Sequence, residues 1–508
     1  MIFFLQTQAQ TNTFPSTGSA GIGTTTPNAF SILEMVSTSK GLLIPRMTKT
    51  QRDNIGIIPA TGLLIYQTNS TPGFYYYDGS AWTPVTPKAK GWSLTGNSGT
   101  NSATNFIGTT DGQSLVFKVN NQKAGLLDYF NYNTGFGYQT LNANTSGVSN
   151  TANGFWALTS NTTGIYNVAT GAYALQNNTN GVGNTATGTS ALRNNVGNEN
   201  TGIGLDALFT NATGYSNVAI GTYALFNNTG GHNNVAVGDS VLYNQNGTQG
   251  YNTAIGSKAL YTNTTGDVNT AIGYQALYSN NAGGLNTASG TNALYANTTG
   301  TANTAAGENA LHYNINGSSN TAFGYETLTT NLSGNYNTAI GAFADANNSN
   351  YSGSSAFGTS SLITASNQVR IGYSGTTSIG GYVNWSNISD GRVKKNIKEN
   401  VPGLAFINQL KAVTYNLDLT TADKIIQRPL IKDKDGKIMQ PYAEELTARK
   451  QKEQIVYTGF VAQDVEKIAK SLNYNFSGVD APKNDKDLYG LRYAEFVVPL
   501  VKAVQELS

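Results

Sequence analysis

A glycine returns every 17 residues from Gly137 to Gly358, in fourteen copies with one spacing of 16 and one of 18. No other feature of the chain limits its fold so tightly. One unit reads Asn269-Thr270-Ala271-Ile272-Gly273-Tyr274-Gln275-Ala276-Leu277-Tyr278-Ser279-Asn280. Four places after the aligned glycine, Leu recurs in thirteen copies, with Asp345 the exception. Two places before it, only Ala or Gly occurs. Asn recurs in thirteen copies four places before it, Ser354 excepted, and in twelve copies seven places after it. Such a period is too short for a helix pair and suits one coil of a β-solenoid. Stacked coils lie about 4.8 Å apart, so fourteen of them make a rod roughly 65 Å long. The Leu residues then form an inner ladder, the small residue sits where two backbones come close, and the Asn amides bond from coil to coil.

Each coil offers a core little more than one Leu, two Ala and one variable apolar residue. At roughly 25 cal/mol per Å² this is thin support for a whole coil. Sharing a core among chains would add burial and cover edges. The copies Asn-Thr-Ala-Ile-Gly-x-x-Ala-Leu resemble the head repeats of trimeric autotransporter adhesins. That resemblance implies a trimer of parallel β-rolls.

Upstream of residue 389, Gly, Asn, Thr, Ser and Ala dominate, a composition that without a period would read as disorder. Charge is concentrated at the other end. Residues 389–508 hold 19 Lys+Arg and 16 Asp+Glu, 35 of the 58 charged residues in the chain. The net charge of +2 argues against a general electrostatic grip on nucleic acid. With no Cys, disulfides, thiol nucleophiles and Cys-based metal sites are excluded. His232 and His312, the only histidines, read as exposed loop residues. No metal or cofactor is expected. No apolar run is long enough for a transmembrane helix. Residues 1–10 read as the end of a secretion signal, with a cleavage point after Ala9, although its basic n-region is missing; an ordinary apolar N-terminus is the alternative.

Residues 11–90 read as a small β module. Gly62-Leu63-Leu64-Ile65-Tyr66 and Phe74-Tyr75-Tyr76-Tyr77 are strands joined by a Thr71-Pro72-Gly73 turn, with Asp78-Gly79 turning again before Trp82. From Gly21-Ile22-Gly23 to Trp82 the pattern resembles the N-terminal region of large secreted bacterial fibre-like proteins. Its aromatics read as sheet packing, with a glycan platform as the alternative. Residues 91–130 form a transition with one strand at 114–119, the repeats occupy 131–365, and 366–388 is a connector with strands at Val369-Arg370-Ile371-Gly372 and Tyr382-Val383-Asn384-Trp385.

Residues 389–508 read as a compact α+β module. Short helices are expected over 402–410, from 461 onward and over 497–507, the last with Leu500, Val504 and Leu507 as a seam. Strands are expected at 412–417 and before Gly459. Asp433-x-Asp435-Gly436 reads as a hairpin turn, because its glycine comes too early for a calcium loop. Three stretches stand in order: Ser389-Asp390-Gly391-Arg392-Val393-Lys394-Lys395-Asn396-Ile397, then Gly459-Phe460-Val461-Ala462-Gln463-Asp464-Val465, then Tyr493 to Leu507. Together they resemble the endosialidase-type intramolecular chaperone, a self-cleaving C-terminal domain of phage tail spikes and other trimeric fibres. The resemblance implies a domain that assembles three chains and then releases itself. It also implies a catalytic dyad of Ser389 and Lys394 and a scissile bond between Ile388 and Ser389.

The chemistry fits these residue types. A Ser hydroxyl needs a base, and a Lys serves once burial or a neighbouring cation such as Arg392 or Lys395 favours its neutral form. Asp390 and Asn396 are expected to hold the loop, with Arg392, as supporting residues. The chain therefore reads as mainly β, a secreted or surface-exposed trimeric fibre with a self-cutting chaperone module. Its expected partners are other copies of itself and a host-surface or glycan ligand. Two alternatives stay open. One is a structural fibre whose terminal module trimerises without cutting. The other is a glycan-degrading spike, which needs paired carboxylates where the repeats hold scattered acids such as Asp206, Asp239, Asp267 and Glu308.

Overall fold

The computed structural model describes residues 17–85, 92, 96–383, 385–430, 437–438 and 443–508. The N-terminal signal and the hairpin around Asp435-Gly436 lie outside the described residues. Two units are present, Met1–Gly108 and Thr109–Ser508.

In the first unit, four strands pair in the order Arg46–Met47, Leu64–Gln67, Gly73–Tyr77 and Trp82–Pro84. Alternation along Gly73–Tyr77 turns Tyr75 inward while Phe74 and Tyr76 stay exposed. A short helix, Lys49–Asp53, opens with a capping box formed by Thr48 and Gln51. From it Arg52 reaches inward, donates to Gln67 Oε1 at 2.6 Å, and lies 4.9 Å over the Tyr75 ring. Part of the aromatic cluster therefore packs a buried cation. Asp78 accepts from the N–H groups of Ser80 and Ala81 and from the Ser80 and Thr83 hydroxyls, which hold its carboxyl far below the usual range.

The second unit is built on a parallel ladder. A hairpin, Leu115–Val119 with Gln122–Leu127, pairs antiparallel with Thr134–Phe136. From there each three-residue strand pairs in parallel with the equivalent strand one coil on, as Thr270–Ile272 does with Thr287–Ser289. The ladder ends at Val369–Ile371. The central residue of each strand points inward, so Ala271 and its equivalents are fully buried beside Leu277 and its equivalents.

The aligned glycine, and not the small residue two places before it, marks the close backbone approach. A Cβ on Gly273 would lie 2.5 Å from the carbonyl oxygen of Gly290, and its φ is +134°. The inward small residue is limited by the Leu ladder instead: a Cβ on Gly202 would meet the Leu192 side chain at 3.1 Å.

Asn269 Oδ1 accepts from both the backbone and side-chain nitrogens of Asn286, and its Nδ2 donates to Asn252 Oδ1 and to the Gly283 carbonyl. Asn280, in the second Asn column, donates to Asn263 Oδ1 and to the same Gly283 carbonyl. Asn269 and Asn280 are each buried and satisfied, the condition under which a polar core stabilises.

Three residues of each full coil take left-handed backbone, in this coil Val268, Gln275 and Leu277, with φ between 53° and 55°. Such residues cost roughly 1–2 kcal/mol each. Each of their N–H groups bonds to a carbonyl of a neighbouring coil, those of Gly250, Ser257 and Ala293 respectively, which offsets the strain.

Asp345 interrupts the Leu ladder. It is buried and accepts from the Thr329 hydroxyl, from the N–H and hydroxyl of Thr330, and from the N–H of Ala346. Burial pushes its pKa up to about 6 despite those donors. Because the folded value lies above the unfolded one, this group favours folding below about pH 4, and that contribution is lost as pH rises through 6. The change amounts to about 3 kcal/mol. The Asp345→Asn variant should lose the fall in thermal midpoint between pH 4 and 7 that the parent shows; equal slopes would refute the assignment.

The C-terminal module has an aromatic core of Phe406, Phe476 and Phe496 with Val465 and Ala469. Short helices span Leu404–Ile407, Leu419–Ile425, Ala443–Glu453, Ala462–Ser471 and Val497–Leu507. Val413–Tyr415 pairs antiparallel with Tyr457–Gly459. The expected strand at 382–385 is absent among its described residues: Tyr382, Val383 and Trp385 are all exposed, with no strand beside them. No helix among the described residues is long and apolar enough to cross a membrane.

Candidate functional site

Every described residue from 377 to 400 is exposed, so the proposed scissile bond lies in an open connector. Within it a single 3-10 turn, Gly391–Val393, is capped by Asp390, whose carboxylate accepts from the N–H of Arg392 at 2.9 Å. The Arg392 guanidinium folds back on the same carboxylate, at 2.5 Å from Oδ2. This guanidinium, and then the Arg392 N–H, hold the Asp390 carboxyl below its usual range. Arg392 is thus paired with Asp390.

The turn reverses the chain enough for Lys394 Nζ to donate to Ser389 Oγ at 2.9 Å. Ile388, one residue upstream, is exposed. Asn396 takes left-handed backbone with φ 55°, a conformation Asn tolerates better than most residues. The geometry brings together Ser389, Lys394, Asp390 and Arg392, while Asn396 contributes to the bend of the loop.

The second and third sequence landmarks meet inside the module. Gly459 has no room for a side chain, because a Cβ there would press on the Tyr493 hydroxyl. That hydroxyl accepts from the N–H of Phe460 at 3.1 Å, and the Phe460 and Phe496 rings stack 5.4 Å apart. Glu506 accepts from the N–H of Leu404 at 2.7 Å, so the end of the last helix closes the start of the helix that follows the connector. On that last helix Pro499 and Ala503 are buried, while Val497, Leu500, Val501, Val504 and Leu507 are exposed. The seam faces away from the module's own core.

Other candidates separate. Asp206 lies two places after its aligned glycine, Asp239 and Glu308 one place after theirs, and Asp267 six places before, so the four acids occupy three columns on different coils. Neither histidine is a free loop residue. His312 is half-buried at the end of a column of stacked rings, 5.1 Å from Tyr295, and burial lowers its pKa. His232 stacks 4.7 Å from Tyr215. The column that His312 ends begins at Phe209 and passes through Tyr261 and Tyr278 with centroids 5.2–5.3 Å apart, so ring faces are spent on one another.

Residues 389–474 match the family model described as chaperone of endosialidase. Residues 21–103 match the phage tail like trimerisation region. No curated protein and no solved structure matches the chain. The chain therefore carries a region similar to a trimerisation region on its N-terminal side, solenoid repeats in the middle and an endosialidase-chaperone region on its C-terminal side. The match over residues 389–474 holds the first two landmarks, and the third packs on the second through Tyr493 and Phe496. Sequence reasoning gave the N-terminal module no role in self-association, because its short strands and turns carry no periodic apolar face from which to argue one.

Proposed function

We propose that three parallel copies form an extracellular tail-fibre-like protein, and that the C-terminal module directs assembly and then cuts the chain between Ile388 and Ser389. The observation that carries the cutting is the 2.9 Å hydrogen bond between Lys394 Nζ and Ser389 Oγ, in a connector with nothing packed over it. As observed, the ammonium donates. Catalysis uses the bond in the reverse sense, with a neutral amine taking the hydroxyl proton. Oγ then bonds to the Ile388 carbonyl carbon, the carbon–nitrogen bond to Ser389 breaks, and the proton passes to the departing amine. Water hydrolyses the resulting ester to the Ile388 carboxylate and regenerates the Ser389 hydroxyl. Oxyanion donors and a dry pocket are required, and an exposed loop has neither; packing of three chains supplies them. Cutting is thereby tied to assembly. Expression of the full chain should yield a C-terminal fragment of about 13 kDa, from average residue mass, beginning at Ser389. A trimer that stays whole would favour the non-cutting alternative.

The strand face of the solenoid supports association. One place before the aligned glycine, Ile203, Ile220, Ile255, Ile272, Ile340 and Phe357 point outward and are exposed. Apolar columns of this extent mark interaction surfaces. Chains joined through residues 21–103 hold the segments that follow at high effective concentration. In this Cys-free chain, Ile272→Cys should give disulfide-linked pairs on mild oxidation, leaving one chain of three unpaired. Ala282→Cys, on an exposed turn, should not. The reverse pattern would place the interface elsewhere.

A further inference from the structure

We infer that the C-terminal module is held on the last coil by a docking surface of its own, so that cutting the connector does not by itself release the module. This rests on the two-part reading above but not on self-cleavage. The centre is Asp487, which is buried in a loop rich in charged residues. Its Oδ1 accepts from the Thr364 hydroxyl at 2.5 Å, from Arg370 Nη2 at 3.1 Å and from the N–H of Leu488 at 3.0 Å. Its Oδ2 accepts from Gln368 Nε2 at 3.2 Å and from the N–H of Lys483 at 3.3 Å. Three of these five donors belong to the solenoid. A buried carboxylate needs such a full set of donors, and this one is complete only when docked.

The donors exist as a set only on a wound coil. Gln368 Oε1 accepts from the N–H groups of Thr364 and Ala365, which fixes the turn that presents all three side chains. Ser355–Phe357 pairs with Val369–Ile371 to close that coil. Around the centre, Asn484 donates to the Tyr351 hydroxyl and the Thr364 carbonyl. Asn347 donates to the carbonyls of Ile426 and Lys486. None of these contacts involves the exposed segment 377–400, where the cut falls. The module thus recognises a finished last coil and covers an end of the solenoid that would otherwise be an open ladder.

The test separates the link from the interface. In a Ser389→Ala chain, a recognition site for a sequence-specific protease is inserted between Gly380 and Gly381, both exposed. After cutting at neutral pH, the C-terminal fragment should co-elute with the solenoid on gel filtration. The Asp487→Ala fragment should dissociate at least tenfold more readily, and Asn347→Ala, on the solenoid side, should weaken retention without touching the module's fold. Circular dichroism of the isolated fragments reports whether the module stays folded. A parent fragment that elutes free after cutting overturns the proposal, as does retention unchanged in both variants. Because the protease cut replaces the serine chemistry, failure of self-cleavage in the unmodified chain leaves this result standing and is read separately.

Discussion

Ser389→Ala should leave the chain whole, with no 13 kDa fragment at any time at which the parent is fully cut. Removing an activated serine nucleophile lowers rates by roughly a million-fold, so a single-turnover reaction complete in minutes would not be seen in weeks. Lys394→Ala should look the same, because among the described residues no other amine donates to Ser389 Oγ. Asp390→Ala should slow cutting without abolishing it, since Asp390 caps the turn that returns Lys394 to Ser389 and anchors Arg392. All three variants should still form trimers, because the contacts of the module core and of the docking surface lie elsewhere. A Ser389→Ala chain that is still cut at the same bond would remove the dyad from the mechanism. Cutting that persists only at a different bond would point to an outside protease acting on the exposed connector.

Gly273→Val is expected to break the stack of coils. Its Cβ would sit 2.5 Å from the Gly290 oxygen and 2.6 Å from the Gly290 carbon. Gly290 cannot yield, because it stands in the same relation to Gly307. The φ of +134° adds strain of about 1–3 kcal/mol for any residue with a side chain. Separating the two coils also gives up several cross-coil hydrogen bonds worth roughly 1 kcal/mol each. The sum should exceed about 4 kcal/mol, at the far end of what point substitutions do. Because coils couple chiefly to their neighbours, the melt should split into two transitions, one for each side of the break. Ala282→Val, on an exposed turn, should melt once and near the parent temperature. A single unshifted transition for Gly273→Val would mean that the coils are not stacked in this register.

The repeat was legible because its strongest constraints are local and recur. Gly273 has to be glycine, Leu277 has to fill the ladder and Asn269 has to bond to its equivalents, and each demand leaves one residue type at one position. The left-handed backbone at Gln275 and Leu277 was not legible, since neither side chain favours it and only bonds to neighbouring coils hold it. The strand expected at Tyr382–Trp385 failed for a related reason. Alternating apolar residues make a strand only where a partner edge exists, and the ladder has already ended at Ile371. At the site, the resemblance paired Ser389 with Lys394, which spacing alone could not do, and it left unread the ion pair between Arg392 and Asp390. The docking surface was invisible in sequence. Asp487 reads as one charge in a solvated run, and its partners Thr364 and Arg370 lie 123 and 117 residues away.

The direction of the cross-coil hydrogen bonds also bears on how the protein behaves under tension. Those bonds run along the stack, while the covalent chain winds around it. A pull on the two ends therefore loads the bonds of successive coils in series, so that they give way one coil at a time and not all together. Each coil of 17 residues that lets go adds about 55 Å of slack, taking roughly 3.4 Å per extended residue less the rise of one coil. A fibre of this kind would lengthen in steps and absorb work at each one, acting as a shock absorber between whatever its two ends hold.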